Sequence, residues 1–217
     1  MSQLNLHLEL LDKARAQTFG LLGRFKRYGY LAGGTALALQ IAHRHSYDFD
    51  IFCNAKISNA LTARCRSLFA IKETLVNNDD EFSFLTRDNI KVSFIFYPFS
   101  FHGKLLENKN TIPLLATRDI AISKAYTIGR RGSYRDYVDL YFCMNACNLS
   151  LKIIIAGAKK VYGELFNQKL FLGQLLYTDD IPKDEKKSIN FLNTPISFKE
   201  VASFFIAEVR TWQKENL

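Results

Sequence analysis

The chain has 217 residues, of which 48% are hydrophobic and 23% are charged, a balance that is ordinary for a globular protein and unlike that of a disordered chain. A chain of this length buries enough apolar surface to fold without disulfide bonds. Its net charge of +8 favours polyanionic partners, whether nucleotides, RNA, DNA or an anionic membrane, without choosing between them.

Two absences in the sequence indicate a compartment. No apolar run approaches the length that crosses a bilayer, and the first residues, Met1 to Asn5, lack the basic start and apolar core of a signal peptide. The four cysteines contain no Cys-x-x-Cys pair, which argues against a zinc ribbon. We therefore expect a cytoplasmic protein with reduced thiols and no membrane partner.

The first fifty residues predict an alternation of helices and strands. Apolar residues at helical spacing predict a helix from Leu6 to about Arg27, and a turn with a short buried strand follows over Tyr28–Ala32. Gly33-Gly34 ends that strand, and a helix follows over Thr35–Ala42, with Thr35 as its expected N-cap. Alternating apolar residues predict the next strand over Tyr47–Cys53.

In the remainder of the chain, the pattern of apolar and polar residues changes near Pro113. Before it we expect a helix, Ser58–Ala70, and three strands, Ile71–Val76, Glu81–Thr86 and Ile90–Tyr97. After it helical patterns dominate, and they predict helices at Thr117–Ile128, Ser133–Ala146, Ser150–Phe166, Gln168–Tyr177 and Ser197–Gln213. This order predicts an α+β fold, with a small mixed-sheet core over residues 1–113 and a helical region over residues 114–217 packed against it.

Two short motifs carry the chemistry of the first half. Gly33-Gly34 lies between a predicted strand and a predicted helix, where backbone N–H groups approach an anion closely and the helix N-terminus favours phosphate. Asp48 and Asp50 lie two apart on a predicted strand, so both carboxylates face the same side. Two adjacent carboxylates need a neutralising cation, and magnesium bridging them to nucleotide phosphates is the natural one.

Either motif alone is weak, because Asp-x-Asp pairs are often solvated acids at a strand end. The order strand, Gly-Gly, helix, strand, Asp-x-Asp within eighteen residues is far more specific. The same motifs lie in two longer blocks, Leu31–Leu39 with His43–Phe52, and Ala121–Tyr126 with Arg130–Tyr141. Together these blocks resemble the AbiEii abortive-infection nucleotidyltransferase toxins, which have the polymerase-β-like nucleotidyltransferase fold. The resemblance covers about Tyr30 to Met144.

The resemblance implies roles for the first block. Gly33, Gly34 and Thr35 would hold the triphosphate of an NTP, while Asp48 and Asp50 would hold Mg²⁺, with Mn²⁺ as an alternative ion. From its position alone, Ser46, two residues before the first acid, is a further candidate, either for orienting a phosphate or as a site of modification.

The resemblance also implies roles for the second block, in which Lys124 would contact nucleotide phosphate, Asp136 or Asp139 would complete the site, and Arg131 would assist nucleotide binding. From the residues alone, the two acids are three apart on one predicted helix face. They could equally be a charged helix start that complements the helix dipole. Lys124 could equally be a surface lysine.

One position departs from the pattern of this fold, in which many enzymes carry a third carboxylate on a later strand that helps to deprotonate the acceptor. The matching strand here has Ser93 at that position. Either Asp136 or Asp139 supplies the missing acid, which we favour, or the site uses one metal ion, or the protein binds nucleotide with little or no transfer. Asp88 is adjacent but is predicted to lie in a turn.

The other candidates are aromatic and histidine side chains. Most of the aromatic residues between Phe82 and Phe101 alternate on strands and are expected in the core. Tyr126, Tyr134 and Tyr137 lie beside arginines and are better candidates for stacking on bases. His43 and His45 are expected to be solvent-exposed loop residues.

Together with these patterns, the resemblance implies a metal-dependent, toxin-like nucleotidyltransferase that transfers NMP from an NTP to RNA, with a tRNA 3′ end as one target, or to a protein acceptor. The resemblance implies a separate antitoxin protein as a partner. The alternative is a catalytically weak or inactive module of the same fold that binds a nucleotide or a partner.

Overall fold

A computed structural model describes residues 5–107, 111–130, 132–178, 181–182, 189–192 and 195–216. The fold is α+β, as predicted. It divides into two compact units, one formed by Met1–Pro98 with Lys104–Ala116, the other by Phe99–Gly103 with Thr117–Leu217. The boundary near residue 113 stays a prediction.

The first unit is a five-stranded mixed sheet with three helices. The strands are β1 Gly29–Ala32, β2 Phe49–Cys53, β3 Ile71–Asn77, β4 Glu81–Thr86 and β5 Lys91–Phe96. Their order in the sheet is β1-β2-β5-β4-β3, with β2 and β5 parallel and the other neighbours antiparallel. The helices are α1 Lys13–Leu22, α2 Gly33–Ile41 and α3 Asn59–Leu68. The predicted first helix was too long, because short 3₁₀ turns flank α1 at Leu8–Leu10 and Gly23–Phe25.

Strand alternation places aromatic residues of β2 and β5 on the face that packs against α1 and the 3₁₀ turn after it. Phe49 packs on Phe19 with ring centroids 6.2 Å apart, and Phe94 packs on Phe25 at 5.0 Å. Because side chains alternate along a strand, the residues between these aromatics point to the opposite face. Asp50 and Ser93, which are register partners on β2 and β5, lie on that opposite face.

The outer edge of β1 is covered rather than exposed. The Leu31 N–H donates to the Pro113 carbonyl at 2.8 Å, and the Leu115 N–H donates to the Leu31 carbonyl at 2.8 Å. The Gln40 side chain on α2 also donates to the Leu115 carbonyl at 2.9 Å. The segment after Pro113 therefore satisfies the backbone of β1 and fixes α2 beside it.

The second unit is helical. Its helices are α4 Thr117–Ile128, α5 Tyr134–Cys147, α6 Leu151–Tyr162, α7 Gln168–Leu176 and α8 Phe198–Asn216. Helices α4 and α6 approach closely at Gly157, where an added Cβ would lie 2.4 Å from Ile122 Cδ1. On α5, the Tyr137 ring packs edge-on against Phe205 of α8, and its hydroxyl donates to the Gln174 carbonyl of α7 at 3.1 Å.

Among the described segments, no single helix has both the length and the apolar composition needed to span a membrane. The bent pair Tyr134–Cys147 and Leu151–Leu165, at an angle of 113°, meets these two criteria only when taken together.

Candidate active site

The chain turns sharply where β1 passes into α2. Gly33, the first residue of α2, has φ = +67°, in the left-handed region that L side chains rarely adopt. A Cβ at this position would lie 3.1 Å from Asp50 Oδ2. Glycine therefore serves two purposes here: it permits the turn and it leaves room for a carboxylate against the backbone.

The next glycine lies under two polar side chains that follow α2. A Cβ on Gly34 would lie 2.5 Å from Arg44 Nη2 and 3.2 Å from Ser46 Oγ. Arg44 is only 6% exposed, and its Nη1 donates to the His45 carbonyl at 2.9 Å. A guanidinium thus lies beside the N-terminus of α2, and both favour an anion.

Thr35 connects the start of α2 to the residues that lead into β2. Its hydroxyl forms hydrogen bonds with Ser46 Oγ, at 2.8 Å, and with the backbone carbonyl of Asp48. The expected N-cap role was wrong: the helix begins at Gly33 with Ala32 at the cap position, so Thr35 lies inside its first turn. The hydroxyl instead links the helix that begins at the Gly-Gly motif to the segment that carries the Asp-x-Asp motif.

The two acids of the first motif differ in their surroundings. Asp48 is exposed and immediately precedes β2, so the predicted strand began too early, whereas Asp50 is half-buried within β2. Asp50 lies between Ala32 on β1 and Ser93 on β5 in the strand register.

The structure brings together most of the nucleotide and metal candidates of the first block. These residues form a group that we call the Gly33–Asp50 cluster: Gly33, Gly34, Thr35, Arg44, Ser46, Asp48 and Asp50. Arg44 was missed by sequence reasoning, because nothing in a polar connection shows which of its charged residues will be buried. His43 is buried too, so its expected solvent exposure was wrong.

Ser93, which stands where a third carboxylate was expected, lies directly beside Asp50 in the sheet. Ser93 is the register partner of Asp50, is 1% exposed, and its Oγ has no hydrogen-bond partner among the described residues. Its other register partner, Ser83 on β4, donates a hydrogen bond to Glu81. Glu81 is therefore an acid on the same sheet face as Asp50, and its alternation with Phe82 and Phe84 was the sequence signal for it.

A divalent cation at the Gly33–Asp50 cluster would need oxygen ligands. Among the described residues no three or more His, Cys, Asp or Glu side chains are grouped closely enough to hold a metal ion. Magnesium, however, is commonly bound by one or two carboxylates together with waters and substrate phosphates. The Asp50 carboxylate beside the glycine turn suits such a shared site, whereas the described residues form no all-protein cage. Metal binding by Asp48 and Asp50 together stays a prediction.

In the second unit, the acids and the lysine of the second block form one buried group, called here the Lys124 cluster. Lys124 Nζ lies 2.7 Å from Asp136 Oδ1 and 2.6 Å from Asp139 Oδ2. The three residues are 8%, 5% and 0% exposed, so neither a surface lysine nor a solvated helix start describes them. Burial alone lowers the pKa of Lys124, but attraction to Asp139 and Asp136 outweighs it and holds that pKa above its ordinary value.

The remaining candidates of the second block have different positions. Arg131 lies outside the described residues. Tyr134 and Tyr137 are each 1% exposed, so these rings belong to the core and are wrong as base-stacking candidates. Tyr126 is half-buried, and its ring already contacts the Tyr162 ring and the Arg130 guanidinium. The catalytic roles expected for Lys124, Asp136 and Asp139 stay predictions.

Comparison with known proteins gives a family match, a relative in sequence and several solved structures of similar fold. Residues 22–204 match the family described as nucleotidyl transferase AbiEii toxin, type IV TA system. An uncharacterized protein of Aquifex aeolicus (strain VF5), aq_aa25, is 34% identical to this chain, and the match covers 84% of this chain and 87% of the relative.

Two solved structures share the fold at low sequence identity. MenT4, the nucleotidyltransferase toxin Rv2826c of Mycobacterium tuberculosis H37Rv, matches with a TM-score of 0.62 and 17% identity, over 94% of this chain and 82% of that one. JHP933 of Helicobacter pylori matches with a TM-score of 0.55 and 19% identity, over 92% of this chain and 90% of that one.

Proposed function

The chain belongs to the AbiEii family of nucleotidyl transferase toxins, and from this premise we propose that it transfers the NMP group of an NTP to an RNA acceptor. One observation carries the proposal. The glycine with positive φ at the start of α2 lies directly against the Asp50 carboxylate, where an added Cβ would be 3.1 Å from Oδ2. A backbone turn able to receive phosphate and an acid able to share a metal ion therefore lie side by side.

The residues of the Gly33–Asp50 cluster would have different roles in binding the NTP and its metal ion. The N–H groups at the start of α2 and the Arg44 guanidinium would bind the phosphates of the NTP. Thr35, through its bonds to Ser46 and to the Asp48 carbonyl, would hold the acid-bearing segment in register with α2. Asp48 and Asp50 would hold a divalent cation, which supplies neutralisation of the charge on the triphosphate and on its leaving group.

The proposed reaction is an in-line displacement at the α-phosphorus. The acceptor hydroxyl oxygen forms a bond to that phosphorus as the bond to the bridging oxygen of the β-phosphate breaks. Pyrophosphate leaves with the bonding electron pair, and the hydroxyl proton passes to solvent. The protein residues contribute position and charge, which are the main sources of catalysis in phosphoryl transfer.

RNA is preferred as the acceptor class because of the charge of the chain. The net charge of +8 attracts a polyanion more than a neutral or basic protein. Membership in a toxin–antitoxin family implies an antitoxin partner as well. A tRNA 3′ end, magnesium as the resident ion and a cytoplasmic location remain parts of the proposal.

The test of this proposal follows label from each α-³²P NTP into total RNA and into protein, with magnesium, with manganese and with EDTA. We expect label in RNA that depends on the divalent ion. Label in protein alone would show that the acceptor is a protein and not RNA. No label under any condition would reject the proposed activity.

A second candidate function is favoured by Ser93. A buried serine with no hydrogen-bond partner among the described residues lies beside Asp50, where many enzymes of this fold have a third acid. A serine hydroxyl is a poor base, so the chain would bind NTP and a partner but turn over little substrate. Calorimetric NTP binding without pyrophosphate release would support this candidate, and pyrophosphate release would reject it.

A further inference from the structure

The second unit contains a cavity that the proposed reaction does not use. It has a volume of about 380 Å³ and lies where the end of α4 faces the segment between α6 and α7. Its lining includes Tyr126, Arg130, Leu165, Phe166, Asn167 and Leu170. A volume of this size is within the range of small-ligand sites, about 300–1,000 Å³. None of these residues belongs to the Gly33–Asp50 cluster.

The positively charged side chain of Arg130 is held in position at this cavity. The Arg130 guanidinium lies 4.8 Å from the Tyr126 ring centroid and donates a hydrogen bond to the Tyr126 hydroxyl. The Tyr126 ring is itself stacked on Tyr162, with centroids 4.0 Å apart and planes 9° from parallel. Within the described segments no carboxylate forms an ion pair with Arg130. The guanidinium is therefore oriented by aromatic contacts and available to an anion from outside.

The rest of the lining suits a flat, partly apolar group with polar edges. Leu165 and Leu170 are 60% and 47% exposed, so both offer apolar surface to a molecule that enters the cavity. The Asn167 Oδ1 accepts from the Leu170 N–H at 3.0 Å, which caps α7 and fixes the amide. The amide nitrogen keeps its N–H donors, since in the described part of the chain it donates to no acceptor.

We propose that this cavity is a nucleotide-binding site. The Arg130 guanidinium binds the phosphate, the base packs against Leu165 and Leu170, and the Asn167 amide donates to an acceptor on the edge of the base. A free nucleotide and one nucleotide of a single-stranded RNA share this chemistry. The site goes beyond the proposed transfer reaction, because binding here requires none of the residues assigned to that reaction.

The experiment is a titration of the full chain, labelled with ¹³C at the leucine methyl groups, in the presence of EDTA. The probes are AMP, a single-stranded hexaadenylate and inorganic phosphate, and the methyl signals of Leu165 and Leu170 are assigned with Leu165→Ile and Leu170→Ile. We expect both signals to shift on addition of AMP or the oligonucleotide. A lower Kd for the oligonucleotide identifies RNA as the source of the nucleotide, and an equal or lower Kd for AMP identifies free nucleotide.

Two variants with the same change in charge separate a site from general attraction. Arg130→Gln removes the guanidinium, and we expect the Kd for AMP to rise about tenfold or more, as loss of a charge-assisted hydrogen bond predicts. Lys169→Gln removes an exposed charge on the same helix as Leu170 and should leave the Kd unchanged. The proposal is overturned if neither methyl signal shifts, if phosphate alone shifts them as AMP does, or if both variants bind AMP equally. Because no transfer is measured, an inactive enzyme does not affect the outcome.

Discussion

The Thr35 hydroxyl donates a hydrogen bond to the backbone carbonyl of Asp48 and thereby joins the helix start to the acidic motif. The two residues are thirteen positions apart, and the intervening chain completes α2 and carries Arg44 and Ser46. This bond brings the glycine turn and the acids into one cluster, so its removal is the most local test of how the cluster is held.

Replacing Thr35 with Val keeps the shape of the side chain and removes its hydroxyl. The Asp48 carbonyl and the Ser46 hydroxyl then lose a partner, and we expect the free energy of unfolding to fall by about 1 kcal/mol. Transfer activity should fall further than this loss of stability explains, because Asp48 is no longer tied to α2. Thr35→Ser, which keeps the hydroxyl, is the control for urea denaturation and for initial rates. Equal behaviour of the two variants would show that the hydrogen bond has no role.

A second prediction follows from the left-handed backbone conformation of Gly33. Gly33→Ala forces a Cβ into the left-handed region and against the Asp50 carboxylate, and we expect a loss of about 1–2 kcal/mol in unfolding free energy. Gly20→Ala is the matched control, because nothing lies within 4 Å of its added Cβ on helix α1. We expect that control to gain about 0.5–1 kcal/mol. Urea unfolding of both proteins measures the difference, and a gain in stability for Gly33→Ala would contradict the conformation described.

The Lys124 cluster predicts a large loss of stability when its cation is removed. Lys124→Met leaves Asp136 and Asp139 buried without their counter-ion, at an expected cost of about 3–5 kcal/mol. Guanidinium unfolding measures this loss, and Lys152→Met, at an exposed position on α6, is the control. A loss similar to that of the control would show that the buried ion pairs do not stabilise the helical unit.

The pH dependence of this loss follows from the sign of the pKa shift. The folded-state pKa of Lys124 is raised above the ordinary value of 10.5, so its contribution is fully present below that value. The contribution is lost only as the pH rises through the folded pKa. Titration of Lys124 should therefore leave the difference in unfolding free energy between wild type and Lys124→Met unchanged through neutral pH. That difference should shrink only above about pH 10.5. A difference that shrinks between neutral pH and pH 9 would contradict this assignment.

Local sequence patterns predicted the elements of the fold better than its pairings. The alternation of apolar residues placed β4 at Glu81–Thr86, and apolar spacing placed α4 at Thr117–Ile128, as observed. The insertion of β5 beside β2 depends on contacts between residues more than forty positions apart, which periodicity does not encode. The register of Asp50 with Ser93 could for the same reason only be seen in the structure.

The candidate site was predictable where a residue type has few alternative uses. The Gly33-Gly34 pair and the acids Asp48 and Asp50 stand out because their backbone freedom and charge suit phosphate and metal. Arg44 did not stand out, since burial of its guanidinium depends on the turn at the end of α2, where Ala42 has φ = 49°. The pairing of Lys124 with both nearby acids likewise depends on how α4 and α5 pack.

The cysteines make a prediction about thiol reactivity. Burial raises the pKa of the Cys53 and Cys65 thiols to about 12, and burial also raises that of Cys143, whereas Cys147 is exposed and its pKa is raised by partial burial. We expect Ellman's reagent to modify one thiol per native chain at mildly alkaline pH and four after denaturation. Cys147→Ser should abolish the native reaction and Cys53→Ser should not. Rapid modification of two or more thiols in the native protein would contradict the burial described.

The most direct test of the proposed transfer reaction compares two aspartates by the initial rate of label transfer from α-³²P NTP to RNA. Asp50 faces the glycine turn, whereas Asp88 is an exposed turn residue, and Asn at either position removes one negative charge. We predict that Asp50→Asn lowers the rate by at least about a hundredfold, because a metal ligand contributes several kcal/mol to such a reaction. Asp88→Asn should keep the wild-type rate. Equal rates for Asp50→Asn and wild type would contradict a catalytic centre at the Gly33–Asp50 cluster.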